Sequence, residues 1–161
     1  IVAVMLNQVS LDPGEAIYLP AGNIHAYLSG LGLEVMAASD NVLRSGLTSK
    51  HVDVAEVLKI ADFSELSEPK VKPIKLAEGL IEYPVQCSEF RIYRAEVSGK
   101  NLLADLDLPT NAMVLCTSGE VAVSTSLEER KVLGKSEVVF VSGAKKISLS
   151  GSGTTYVVLG D

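Results

Sequence analysis

Between residues 25 and 50 the chain carries four side chains that could do chemistry together: the imidazole of His25, the carboxylate of Glu34 and the cations of Arg44 and Lys50. An imidazole can bind a metal ion or exchange a proton near neutral pH, and a carboxylate can act as a general base. Arginine and lysine suit a phosphate, the arginine through its fork of donors and the lysine as a point charge. The stretch therefore predicts a site for a charged ligand.

The same residues also allow a purely structural interpretation. His25 is one of two histidines in the chain, and it could be a core or surface histidine whose ring nitrogens are satisfied. The polar loop with Asp40, Asn41, Arg44 and Lys50 could be a solvated rim after a buried strand. From the residues alone both interpretations stay open.

The elements that would position these residues are short apolar runs rich in Val, Ile and Tyr. Gly, Pro, Asn and Ser interrupt the runs, which is the strand-and-turn pattern of a sandwich or barrel. In the run SEVVFVS, Val138 and Phe140 point to one face, whereas Val139 and Val141 point to the other. We therefore predict an all-β fold. The runs are IVAVML, EAIYLP, HAYLSG, LGLEVMA, FRIYRAEV, AMVLC, EVAVSTS, SEVVFVS, KKISLSG and TTYVVLG.

One short helix is predicted near residues 53–63, in VDVAEVLKIADF. Asp53 can cap its first turn and Glu56 stands at the third helical position, as in a capping box. Apolar residues recur at helical spacing and make one apolar stripe along the helix. The stripe consists of Val54, Val57, Leu58 and Ala61.

The polar segment SELSEPKVKP, residues 64–73, holds two prolines and has the composition of a linker. It would separate an N-terminal segment, residues 1–63, from a C-terminal domain, residues 74–161. EAIYLPAGNIHAYLSGLG and EVVFVSGAKKISLSGSG share a pattern of acid, strand, turn, strand and Ser-Gly-x-Gly. This repeat predicts a jelly roll used twice. Lys146 falls where His25 stands in the first copy, so only the first copy would hold a metal.

Composition narrows the class of protein. The chain has 161 residues, 47% of them apolar and 21% charged, with a net charge of −6. That charge argues against non-specific binding to nucleic acid or anionic membrane. The apolar window 16–39 contains Pro20, Asn23, His25 and Glu34, so we expect no membrane span there.

The two cysteines, Cys87 and Cys116, do not suggest a disulfide framework. Cys116 ends an apolar run, where we expect a buried free thiol. This cysteine usage leads us to expect a protein of the reducing cytoplasm. No basic leader opens the chain, so we expect no secretory signal. Ile1 opens within an apolar run with no initiator methionine, which predicts a piece of a longer chain.

Residues 18–54 carry a much longer pattern, YLPAGNIHAYLSGLGLEVMAASDNVLRSGLTSKHVDV. It resembles the signature of type I phosphomannose isomerase, the mannose-6-phosphate isomerase family. The resemblance covers the spacing from the histidine through the arginine and lysine into the helix. The linker and the degenerate second domain agree with the organisation of that family.

The resemblance implies a cupin fold, a zinc ion and the interconversion of mannose 6-phosphate and fructose 6-phosphate through an enediol. His25 matches a zinc ligand and Arg44 an arginine taken as essential for catalysis. Lys50 and Tyr27 match substrate-pocket residues, and Glu34 matches an acid proposed in proton transfer. Glu34 could instead orient Arg44 or a metal ligand through a hydrogen bond, and that alternative stays open.

The family's other zinc ligands, a Gln, a His and a Glu, are expected before Ile1, in the N-terminal portion of the same protein. We therefore expect this piece alone to be inactive. The alternative is a non-enzymatic bicupin that binds a sugar phosphate or has a structural role. A cupin dioxygenase would need a second histidine close to the first in an early strand, and the sequence has none.

Overall fold

The chain divides into two units, residues 1–70 and residues 71–161. The computed structural model describes residues 2–39, 42–46, 48–99, 106–108 and 111–160. This division falls inside the predicted linker, residues 64–73. The assignment of residues 1–63 and 74–161 to two cupin domains stays a prediction. In chain order the elements are α1 Val2–Met5, β1 Ala16–Ile17, α2 Val54–Ile60, β2 Lys70–Val71, β3 Ile74–Ala77, β4 Leu80–Tyr83, β5 Phe90–Gly99, β6 Leu106–Asp107, β7 Asn111–Thr125, β8 Arg130–Leu133, β9 Val138–Ser142 and β10 Lys146–Gly160.

The second unit is built on one antiparallel sheet of eight strands. Its main path runs β3–β4–β5–β10–β7–β8, with β6 on β10 and β9 on β7. The central strand β10 pairs with β5 on one side and β7 on the other. The two longest strands, β7 and β10, thus have hydrogen-bond partners for their backbone groups on both sides. The all-β prediction is confirmed for this unit.

Alternating side chains of these strands form the core. Val114 lies opposite Val157 and Val139 in the ladder, and Val114 and Val157 are fully buried. Cys116 is also fully buried and free, as predicted, and Cys87 is free as well. Since successive residues of a strand point to opposite faces, every second residue enters the core.

Strand β9 shows the predicted alternation. Val138 and Phe140 are exposed, Val141 is buried, and Val139 packs against the core. Phe140 lies opposite Met113, which is also exposed. The outer face of this sheet region is therefore apolar and solvent-exposed.

Four runs that the sequence separates at glycines form only two continuous strands. The runs AMVLC and EVAVSTS form the single strand β7, and KKISLSG and TTYVVLG form the single strand β10. A Cβ atom on Gly119 would lie 2.1 Å from the Ser152 carbonyl oxygen, and one on Gly153 would lie 2.1 Å from the Ser118 carbonyl oxygen. These glycines allow the two strands to approach, so they do not end them.

In the first unit, β1 belongs to a two-stranded sheet with β2. The Tyr18 amide donates to the Pro69 carbonyl at 2.9 Å. Lys70 Nζ contacts Glu15 Oε2 at 2.8 Å, and this hydrogen bond lowers the pKa of the Glu15 carboxyl. The contacts hold residues 15–18 beside residues 69–70.

Other strands predicted in this unit are not observed. IVAVML begins as the helix α1, EAIYLP has only two strand residues, and HAYLSG and LGLEVMA have none. A strand needs a partner for its backbone groups, whereas a helix satisfies them within itself. Within the described part of residues 1–70, HAYLSG and LGLEVMA lack such a partner, and Leu28, Leu31 and Met36 are exposed. A second jelly roll is accordingly not observed there.

Helix α2 is shorter than predicted, because Ala61 already has an extended conformation. Asp53 caps it, with Oδ1 accepting from the Glu56 amide at 3.0 Å. The other half of the predicted capping box is absent, since the Glu56 carboxylate pairs with Lys59 at 2.8 Å instead. The apolar stripe of α2 is not buried, since the helix has no buried residue and both Val54 and Leu58 are exposed.

Candidate functional site

His25 follows a turn that is anchored to the end of α2. The Asp62 amide donates to the Gly22 carbonyl at 2.9 Å, and Asn23 forms an isolated parallel bridge with Asp62. Gly22 has a φ of +84°, and a Cβ atom there would lie 2.7 Å from the Ile60 carbonyl oxygen. Only glycine fits this position, which places the Asn23 carbonyl next to the end of the helix.

The Asn23 carbonyl in turn holds the histidine ring. His25 Nδ1 lies 3.1 Å from the Asn23 carbonyl oxygen. When Nδ1 carries the proton and donates to this oxygen, Nε2 keeps its lone pair. Histidines that bind metals commonly donate their other ring N–H to a carbonyl in this way. The local geometry therefore suits His25 as a metal ligand through Nε2.

Tyr27 joins the histidine to the acid. Its ring packs edge-on against the His25 ring, with centroids 5.7 Å apart and planes at 64°. Its hydroxyl donates to Glu34 Oε1 at 2.6 Å. The hydrogen bond to Glu34, followed by desolvation, raises the pKa of Tyr27 to about 12. Three of the predicted site residues thus form one cluster: His25, Tyr27 and Glu34.

Arg44 and Lys50 are exposed. In the part of the chain that the structure describes, neither side chain makes a hydrogen bond or ion pair, with the cluster or with any other residue. The Lys50 amide donates to Thr48 Oγ1 at 3.1 Å, which shapes the loop locally. Asp40 and Asn41, the other polar residues predicted in this loop, lie outside the described residues.

A zinc ion needs more ligands than His25 alone can supply. Structural and catalytic zinc sites use at least three protein ligands. Among the described residues there is no group of three or more His, Cys, Asp or Glu side chains able to hold a metal ion. His25 fits as one ligand, but these residues alone do not form a complete zinc site.

A groove lies on the second unit, away from the sequence-predicted residues. It measures about 220 Å³, is open to solvent, and is lined in part by Lys75, Glu78, Arg94 and Glu96. Each cation is paired with a carboxylate, Lys75 with Glu78 and Arg94 with Glu96. None of the predicted site residues lines this groove, and its cations are already neutralised.

Sequence reasoning missed the residues that support the cluster. Gly22, Asn23 and Asp62 act through backbone groups, so their side-chain types do not reveal the role. Lys146, which aligns with His25 in the proposed repeat, has Nζ 3.9 Å from Asp107 Oδ1. A glycine followed by a polar residue just before the histidine was the available signal for the turn.

No protein-family model matches the chain. Mannose-6-phosphate isomerase from Salmonella typhimurium is 37% identical over 156 residues, covering 93% of this chain and 38% of its own length. The Escherichia coli protein of the same name is 30% identical over 151 residues, covering 92% of this chain and 38% of its own length. A protein from Caenorhabditis elegans named probable mannose-6-phosphate isomerase is 36% identical over 140 residues and covers 86% of this chain.

The fold agrees with these similarities. The crystal structure of the apo form of mannose 6-phosphate isomerase from Salmonella typhimurium matches with a TM-score of 0.65 and 26% identity. The match covers 78% of this chain and 32% of that chain. The chain thus spans about a third of the length of these relatives. Over this portion it is homologous to type I mannose-6-phosphate isomerase, as its residues 18–54 predict.

Proposed function

We propose that the chain is part of a zinc-dependent isomerase that interconverts mannose 6-phosphate and fructose 6-phosphate. The observation that carries the proposal is the similarity of 93% of the chain to a protein named mannose-6-phosphate isomerase. Because the chain spans only 38% of that relative, the proposal concerns the natural polypeptide that contains this sequence, called the parent polypeptide below.

The proposed reaction moves a proton between two adjacent carbons through an enediol. It needs a base, and it needs a positive group beside the oxygen that becomes negative. We assign the stabilising charge to Arg44, the phosphate contact to Lys50 and the proton transfer to Glu34. Tyr27 cannot be the base near neutral pH, because its pKa of about 12 keeps the phenol protonated. Its ring would line the pocket beside His25.

The zinc would be held in part by His25 Nε2, since Nδ1 faces the Asn23 carbonyl. Zinc, when bound, supplies Lewis-acid polarisation of the carbonyl oxygen. We propose that the remaining ligands belong to the N-terminal portion of the parent polypeptide, which would be the partner of this segment. The orienting contacts of His25 are already made within this chain.

For residues 74–161 we propose a non-catalytic, jelly-roll role. The core of this domain consists of apolar side chains. In the proposed repeat, Lys146 occupies the position that His25 has in the first copy. Lys146→Ala in the parent polypeptide should therefore change turnover little. Loss of turnover in an otherwise stable variant would instead make this domain catalytic.

A coupled assay tests the proposed reaction. The parent polypeptide should convert mannose 6-phosphate to fructose 6-phosphate, whereas this chain alone should show no measurable turnover, because one histidine binds zinc weakly. Substantial turnover by the chain alone would contradict the ligand argument. No turnover by the zinc-loaded parent polypeptide would overturn the proposed function in favour of a non-enzymatic sugar-phosphate-binding protein.

Two variants of the parent polypeptide separate the assigned roles. His25→Ala should lower the bound zinc, whereas Arg44→Ala should keep the zinc but lower kcat strongly, because its charge acts in the transition state. Zinc stoichiometry and kcat are measured for both variants. Full zinc occupancy in the His25→Ala protein would refute its assignment as a ligand.

A further inference from the structure

The Tyr27 hydroxyl forms a hydrogen bond with the Glu34 carboxylate. It donates to Glu34 Oε1 at 2.6 Å, a distance typical of a charge-assisted bond between a hydroxyl and a carboxylate. Among the described residues this is the sole hydrogen bond of the Glu34 side chain. Glu34 itself is exposed, so Tyr27 is the group that restricts its carboxylate.

The backbone between the two residues brings them together. The chain bends at Ser29 and Gly30, and Gly30 has a φ of +108°, which favours glycine. Tyr27 and Glu34 lie on the two arms that leave this bend. The hydrogen bond therefore closes the bend and sets the distance between the arm with His25 and the arm with Glu34.

Tyr27 also contacts the histidine, since the two rings meet edge-on at 5.7 Å. One side chain thus touches both the residue assigned to zinc and the residue assigned to proton transfer. Because the Tyr27 hydroxyl already donates to the Glu34 carboxylate, its proton is used to hold that group.

We propose that Tyr27 is a positioning residue, whose hydroxyl holds the Glu34 carboxylate in register with His25 rather than binding the substrate. The expected effect on kcat rests on the proposed function, whereas the hydrogen bond between Tyr27 and Glu34 is independent of it. A fixed carboxylate needs no reorientation before proton transfer, so losing the hydroxyl should lower kcat more than it raises KM.

The first experiment needs no activity. In this chain, labelled with 13C at tyrosine Cζ, the Tyr27 resonance is assigned from its loss in Tyr27→Phe and recorded at one neutral pH. Glu34→Gln should shift this Tyr27 Cζ resonance, because it replaces the charged acceptor of the Tyr27 hydroxyl with a neutral amide. A Tyr27 Cζ resonance unchanged in Glu34→Gln would overturn the proposal.

The second experiment is a double-mutant cycle on the zinc-loaded parent polypeptide. Tyr27→Phe should lower kcat by about tenfold or more and change KM by less than about threefold, with zinc content retained. In the Glu34→Gln background the same change should have little further effect, because Tyr27 acts through Glu34. Equal losses in both backgrounds, or a loss confined to KM, would overturn the positioning role.

Tyr156→Phe is the matched control, since it removes a phenol hydroxyl from the second unit, and it should leave kcat and KM unchanged. If the wild-type parent polypeptide has no isomerase activity, the proposed function fails, and the Tyr27 Cζ resonance at neutral pH alone decides the Tyr27–Glu34 contact. The two failures are therefore distinguishable.

Discussion

Thr155 carries an unsatisfied hydroxyl into the core of the second unit. It is fully buried, and Oγ1 has no hydrogen-bond partner among the described residues. It lies opposite Cys116, where the register of β10 against β7 shifts between Thr154 and Thr155. A buried hydroxyl without a partner destabilises the folded state relative to an apolar group of the same shape.

Thr155→Val should therefore stabilise the chain by about 1 kcal/mol in the free energy of unfolding. The matched control is Thr117→Val, because Thr117 Oγ1 donates to the Thr154 carbonyl at 3.1 Å. This second change should destabilise the chain by about 1 kcal/mol. Urea unfolding of both variants measures the difference, and a destabilised Thr155→Val protein would contradict the argument.

At the scale of elements, helix α2 and the turn at residues 20–23 act together. The helix ends at Ile60. Just after it, the Asp62 amide donates a hydrogen bond to the Gly22 carbonyl oxygen. This contact orients the Asn23 carbonyl, and Asn23 orients His25. The short helix thus positions a predicted metal ligand without contributing a side chain to it.

Gly22→Ala should break this contact, because the new Cβ would meet the Ile60 carbonyl and the positive φ would be strained, at a cost of about 1–3 kcal/mol. Faster hydrogen exchange of the Asp62 amide would report the loss. Gly32→Ala is the control, since a Cβ there has nothing within 4 Å. Equal exchange rates in wild type and Gly22→Ala would contradict the anchoring role.

Strand β9 offers a second comparison at this scale. Val139 packs against the core, whereas its neighbour Val138 is 54% exposed on the other face. Val139→Asp should destabilise the chain by roughly 2–3 kcal/mol through a buried charge, and Val138→Asp by less than about 0.5 kcal/mol. Thermal unfolding measures both. Equal losses would mean that the two faces of β9 are not distinguished.

At the scale of the whole molecule, burial is concentrated in one unit. The buried apolar side chains among the described residues all lie between Leu80 and Leu159. In the first unit, Tyr27 is 70% exposed and Leu28 is 79% exposed. No helix in the described ranges is long and apolar enough to cross a membrane.

Hydrogen exchange of this chain should therefore show two levels of protection. Amides of β7 and β10 should exchange slowest, because they lie in the centre of the sheet and open only with its unfolding. Amides of residues 24–37 should exchange orders of magnitude faster, since they lack a regular ladder and a buried core. Protection of residues 24–37 equal to that of β10 would contradict this division.

The sequence by itself determined the local features of the chain. The two-residue alternation of β9, the cap at Asp53 and the buried Cys116 follow from side-chain types at adjacent positions. The pattern at residues 18–54 likewise identified the homologous family from local spacing. Such features need no distant partner, so they could be predicted.

Only the tertiary structure decided which apolar runs pair. HAYLSG and FRIYRAEV are both apolar runs, but only the second has neighbours on both sides in the described structure. The continuity of β7 and β10 through their glycines, and the contact between Tyr27 and Glu34, also depend on segments meeting in space. The physical reason is that ladder hydrogen bonds and burial arise between distant residues, which local periodicity does not encode.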